Sequence, residues 1–129
     1  MILDTSALLA ILLNEPEARR FASAIETADV TRISAASYVE AAIYVDRNGD
    51  EIRRAMLDTF LAEFSIRIEA VTAEHALIAR QAFVFFGKGR HKAGLNFGDC
   101  FSYALSKAYR EPLLFKGGDF GHTDLETVN

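Results

Sequence analysis

Strand-like and helix-like segments take turns along this chain, and few architectures accept such a succession. Met1 to Asp4, Thr31 to Ser34, Ser65 to Val71 and Leu113 to Phe115 are short and apolar or alternating, as buried strands are. Between them lie stretches of helical period: Ser6 to Leu13, a second helix through Ile25 opened by Pro16, Ala35 to Arg47, Glu51 to Phe64, a helix capped by Thr72 and running to Phe86, and Asp99 to Arg110. Asn48-Gly49-Asp50 reads as a turn, Gly87 to Gly94 as a basic loop, and Glu126 to Val128 as a weak last strand. Strands alternating with helices give a mostly parallel sheet with right-handed crossovers and helices on both faces, an α/β/α sandwich.

At 129 residues the chain fits a single domain, 1–129. The lone cysteine, Cys100, permits no internal disulfide and sits among core-like neighbours, so it reads as inert core in a reducing, cytoplasmic protein. Ala7 to Leu13 is too short to span a bilayer and lacks signal-peptide flanks, so no membrane is expected. A net charge of −4 disfavours a purely electrostatic nucleic-acid binder. That objection weakens if carboxylates gather around cations, which return positive charge to the site.

Four acids are candidates for such a gathering. In a parallel α/β sheet, ligands bind outside the carboxyl ends of the strands. Asp4 closes the first strand and Asp119 follows the last by a few residues. Asp99 opens a crossover helix, whose N-terminus lies at that same edge. Glu40 lies about five residues into its helix, roughly 8 Å from the edge, and leans back toward it. Asp4 and Glu40 both have apolar surroundings in which an unpaired carboxylate is costly. Gathered carboxylates repel, and a hard divalent cation with oxygen ligands, Mg2+ first and Mn2+ second, relieves that. Each acid taken alone has a plainer reading: Asp4 as a helix cap, Asp99 as a first-turn acid, Asp119 as a turn residue, Glu40 as an arginine partner. His75, His91 and His122 read as surface residues, and no histidine nucleophile is evident.

Asp4-Thr5-Ser6-Ala7-Leu8, Glu40, Asn96-Phe97-Gly98-Asp99-Cys100, Lys116-Gly117-Gly118-Asp119-Phe120 and His122-Thr123-Asp124 together resemble the motifs of the PIN-domain nucleases, and among them the VapC toxins of bacterial toxin–antitoxin pairs. The resemblance runs end to end and departs at Gly118, where relatives often carry a polar or acidic residue. It implies a Mg2+-dependent endoribonuclease that cuts structured RNA, tRNA or ribosomal RNA, to stop translation, with a cognate antitoxin as partner and a homodimeric state. By position, Asp4, Glu40, Asp99 and Asp119 match the acidic quartet, with Asp4, Asp99 and Asp119 as metal ligands and Glu40 as ligand or water-orienting group. Thr5 or Ser6 matches the hydroxyl beside the first acid, and Thr123 falls in the last motif.

Lys88, Arg90, His91 and Lys92, with Lys116 beside the acids, are the expected RNA-phosphate contacts. The Glu40 helix is apolar almost all round and is expected to be buried by the core, a dimer or antitoxin contact being the alternative. Competing functions are a metal-dependent DNA nuclease or phosphatase, and a non-catalytic metal- or RNA-binding module. An aspartyl-phosphate phosphatase wants a second aspartate two residues after the first, where Ser6 stands.

Overall fold

A computed structural model describes residues 1–48 and 50–128. The four strands are β1 (Ile2–Leu3), β2 (Arg32–Ser34), β3 (Arg67–Glu69) and β4 (Leu113–Leu114). The six helices are α1 (Thr5–Leu12), α2 (Ala18–Thr27), α3 (Ala35–Asn48), α4 (Glu51–Glu63), α5 (Ala73–Phe86) and α6 (Phe97–Tyr109). The strands form one parallel sheet in the order β3-β2-β1-β4. The first strand is therefore central, and chain order reverses on either side of it, at the switch point where such sheets bind ligands.

Helices cover both faces. On one side α1, α2, α3 and α4 close over Leu3, Leu8, Phe21, Ile25, Ile33, Val45, Leu57 and Leu114. On the other α5 and α6 close over Ile2, Ala82, Leu95, Tyr103, Ala104, Leu105 and Leu113. Ile2 and Leu3 are adjacent and serve opposite cores, as the period-two alternation of a strand requires. Among the described residues no helix is long and apolar enough to cross a membrane.

Local chemistry explains most boundaries. Asp4 caps α1, Asp50 caps α4 and Thr72 caps α5, each side chain accepting from a first-turn N–H. The Gly49 part of the expected turn lies outside the described residues. Helix α6 starts earlier than the sequence suggests. Asn96 is its cap, and Asp99 is its third helical residue, in a reciprocal capping box with Asn96. The expected last strand reduces to an isolated parallel bridge between Leu113 and Thr127.

Candidate active site

Asp4 lies at the C-terminal end of β1 and is almost wholly buried (4 % exposed). Both its carboxylate oxygens are held. Oδ2 accepts from Ser6 N at 3.0 Å and Ser6 Oγ at 2.6 Å, and Oδ1 accepts from Ser102 Oγ at 2.5 Å. Ser102 is fully buried, and Ser37 Oγ lies 3.2 Å from it. With the Ser102 proton committed to Asp4, Ser37 is left to donate to Ser102. This buried hydroxyl chain supplies the compensation that a buried carboxylate needs. Ser102 escaped the sequence reading. The available signal was its spacing, three residues after Asp99 on one helix face, as a small polar residue between Phe101 and Tyr103.

Asp99 is half-buried in the first turn of α6. Its Oδ2 accepts from Asn96 N at 3.0 Å and its own N–H donates to Asn96 Oδ1 at 2.9 Å. Burial raises its carboxyl, the Asn96 hydrogen bond lowers it, and the charges of Asp4, Asp119 and Glu40 raise it again, from an ordinary 3.8 to about 6. The other three acids of the quartet thus all act on this one carboxyl. Glu40, on the exposed side of α3, has its carboxylate against Gly98 of α6. Among the described residues Glu40 forms no ion pair, so the plainer alternative, an arginine partner, is not met there. Asp119 is exposed and opens a short 3₁₀ turn, Asp119–His122. It follows Gly117, whose φ of 102° is a conformation that favours glycine.

The plain readings of Asp4, Asp99 and Asp119 therefore hold as well: they cap, box and turn. A cap uses one side of a carboxylate and leaves lone pairs for another partner. Among the described residues no three carboxylate, imidazole or thiol groups stand at metal-ligating spacing. The quartet is an electrostatic cluster, as mutually repelling anions should be. Its donor set of carboxylates with the Ser6 hydroxyl is all oxygen and suits a hard divalent cation. Cys100 is no part of it. Its buried thiol lines an apolar cavity between α5 and α6, and burial together with the Asp99 charge pushes its pKa up, which keeps it inert.

The remaining candidates divide. Ser6 serves the site directly, and its Oγ also accepts from Lys116 N at 2.9 Å, tying Asp4 to the segment after β4. Thr5 donates to the Ser37 carbonyl at 3.1 Å, joining α1 to α3. Thr123 donates to the Phe120 carbonyl at 2.7 Å and thereby closes the 3₁₀ turn. Asp124 accepts from Tyr103 and Lys107 and anchors the same segment. Lys88, Arg90 and Lys92 are exposed on the loop after α5. His91 is drawn inward: its Nδ1 accepts from Ala93 N and its ring packs edge-on against Phe86. Lys116 is engaged by Glu15 and Glu17, so a phosphate contact there must displace an ion pair. His75 is buried against Tyr109, which corrects its surface assignment. The expectation that core alone covers α3 is also corrected, since Val39, Ile43 and Tyr44 are 50 %, 51 % and 41 % exposed.

Comparison with known proteins agrees with this fold. The PIN domain matches residues 1–125. Ribonuclease VapC30 of Mycobacterium tuberculosis is 48 % identical over 128 residues, covering 99 % of this chain and 98 % of its own. Ribonuclease VapC of Mycolicibacterium smegmatis is 47 % identical over the full length of both chains. Among solved structures, M. tuberculosis VapC20, described as a sarcin–ricin loop cleaving toxin, superposes with a TM-score of 0.78 at 20 % identity, covering 98 % of this chain and 97 % of its own. A Klebsiella pneumoniae toxin–antitoxin complex does so with a TM-score of 0.72 at 16 % identity, covering 95 % and 92 %. The parallel sheet, the acid at the end of its central strand and near full-length identity to named ribonucleases lead to one assignment: this chain belongs to the PIN-domain family, among its VapC-type ribonuclease toxins.

Proposed function

We propose that the chain is a Mg2+-dependent endoribonuclease that cuts structured RNA, tRNA or ribosomal RNA, in the cytoplasm and is silenced by a cognate antitoxin. The observation that carries this reading is the gathering of acids at one sheet edge: Asp4 buried at the end of the central strand and bonded to α6, Asp99 in the first turn of α6, and the Glu40 carboxylate against the adjacent Gly98. Four acids that act on one another electrostatically, none of them in an ion pair among the described residues, are a site suited to an external cation. When bound, a divalent ion supplies Lewis-acid polarisation of the phosphate and lowers the pKa of water. Asp4, Asp99 and Asp119 would hold that ion, and Mn2+ is the expected substitute. The Ser6 and Ser102 hydroxyls fix the Asp4 carboxylate so that it need not reorganise during reaction. Glu40, the one glutamate among the four and so the longest side chain, would orient the attacking water and take its proton. The water oxygen bonds to phosphorus as the P–O3′ bond breaks, and the leaving 3′ oxygen takes a proton from solvent, leaving a 5′ phosphate and a free 3′ hydroxyl.

Partners follow from surfaces. The antitoxin is assigned to the groove lined by Thr5, Leu9, Glu40, Ile43, Tyr44 and Arg47, where an apolar helix face runs up to Glu40. A basic side chain entering there would meet opposite charge. A second copy of the chain is assigned to the outer face of α5, where Leu77, Val84 and Phe85 are at least half exposed. Exposed large apolar side chains grouped on one helix face favour an interface.

The test is cleavage of total cellular RNA by antitoxin-free protein with Mg2+, Mn2+ or EDTA, beside Asp99→Asn. Discrete fragments that require metal and vanish in the variant are expected. In the same assay Lys88→Ala/Arg90→Ala/Lys92→Ala should weaken RNA binding and flatten its salt dependence. Cleavage that survives Asp99→Asn, or that acts on DNA alone, overturns the assignment.

A further inference from the structure

We propose that Gly98 is a positioning residue for the Glu40 carboxylate. The missing side chain at 98 is what lets that carboxylate lie against the first turn of α6, next to Asp99. The inference rests on the four-carboxylate reading of the site.

A Cβ placed on residue 98 would stand 2.9 Å from Glu40 Cδ and 3.0 Å from Oε1, and closer still to Oε2. Carbon atoms in comfortable contact are about 3.5–4.0 Å apart. Any residue other than glycine would therefore push the carboxylate away. The backbone gives no competing reason for glycine here. Gly98 is the second residue of α6 and is not among the glycines of positive φ. In a helix interior alanine is favoured over glycine by about 0.5–1 kcal/mol, and glycine brings no compensating helix preference to a first turn. The sequence thus places a helix-weakening residue in the first turn of its site helix, and the room it leaves is filled by an acid of the site. A local choice that opposes local stability marks a functional constraint. The colliding atoms belong to the free end of an exposed glutamate, so the relief is displacement of that carboxylate, with α6 left in place. The N-terminal end of α6 carries the positive pole of its helix dipole, which favours an anion there.

The inference makes Gly98→Ala a selective probe: it should move one carboxylate and leave the fold intact. Rates of Mg2+-dependent RNA cleavage and thermal unfolding would be measured for wild type, Gly98→Ala, Glu40→Asp, Glu40→Gln and Gly98→Ala/Glu40→Asp. Gly98→Ala is expected to unfold no earlier than wild type and to cleave at least about tenfold more slowly, as misplacement of a reacting group by about 1 Å does. Glu40→Asp is slower than wild type because its carboxylate falls short, but it clears the added methyl. Adding Gly98→Ala to it should therefore change its rate less than about threefold, a non-additive cycle. Equal slowing by Gly98→Ala in both backgrounds overturns the inference, because the methyl would then act through something other than Glu40. Gly98→Ala cleaving like wild type while Glu40→Gln is slow overturns the inference alone. Glu40→Gln cleaving like wild type overturns the four-carboxylate reading itself. Should Gly98→Ala fail to fold, Gly98→Ala/Glu40→Ala decides: recovery of the fold supports the collision with Glu40, and continued unfolding overturns it.

Discussion

Asp99 shows what the site costs at the scale of one residue. Its carboxyl is held near 6 by burial and by the three neighbouring acids. Between about pH 4 and 6 the folded, metal-free protein therefore binds more protons at this position than the unfolded chain, so stability falls as pH rises through that window. Asp99→Asn removes the repelling charge and keeps an oxygen that can accept from Asn96. In EDTA at pH 7.5 the variant should resist urea better than wild type, by on the order of 1 kcal/mol once partial solvent exposure is discounted. The difference should disappear near pH 4, and the same variant should not cleave RNA. Mg2+ should reverse the order by stabilising wild type alone. Lower stability of Asp99→Asn at pH 7.5 would mean that the capping box outweighs the repulsion.

At the scale of elements, β2 and β3 are clamped to the C-terminal end of α6 by a polar network away from the acids. Arg32 pairs with Glu69 at 2.7 Å and Glu111 at 3.1 Å, and its guanidinium lies over the Tyr109 ring at 4.2 Å. Tyr109 also donates to Glu69 at 3.0 Å. Burial pushes the Glu69 and Glu111 carboxyls up, but their partners outweigh it and hold both below their ordinary value. Depressed carboxylates stabilise above their unfolded pKa, and that stabilisation is lost as pH falls below the ordinary carboxylate range. Arg32→Ala should cost about 1–2 kcal/mol at neutral pH, with the loss shrinking in acid. Tyr109 lies ten residues from Asp99 along α6, about 15 Å by helical rise, so cleavage by the folded variant should stay within about twofold of wild type. Urea titrations at pH 7 and pH 3, with a cleavage assay, check both halves. A large activity loss in the folded variant would show that α6 transmits strain from this end to Asp99.

The whole molecule presents two apolar surfaces on opposite sides of the sheet, one on α3 and one on α5. Their placement separates the proposed antitoxin groove, which runs into Glu40, from the proposed self-association face. Sedimentation of antitoxin-free protein should give twice the chain mass of 14.3 kDa. Leu77→Glu/Val84→Glu should halve it, because charges buried in a dry interface carry an uncompensated desolvation cost. A wild-type monomer at micromolar concentration would leave the α5 face without its proposed occupant.

The strand–helix alternation and the apolar runs sufficed to determine the parallel sandwich, because burial period and capping chemistry are local properties. The same holds for the placement of Asp4, Asp99 and Asp119 at one edge, since strand ends and crossover direction follow from element order. Local sequence could not show that Ser102 donates to Asp4 and is itself met by Ser37, because those partners meet only when α3 and α6 pack together. Nor could it show that Lys116 is engaged by acids from the α1–α2 connection, or that His75 is buried. The role of Gly98 was equally hidden: a glycine in the first turn of a helix is unremarkable until the fold brings Glu40 from another helix into the space its side chain would fill. Periodicity fixes which face of an element is buried; which atoms lie across from it is decided by long-range packing.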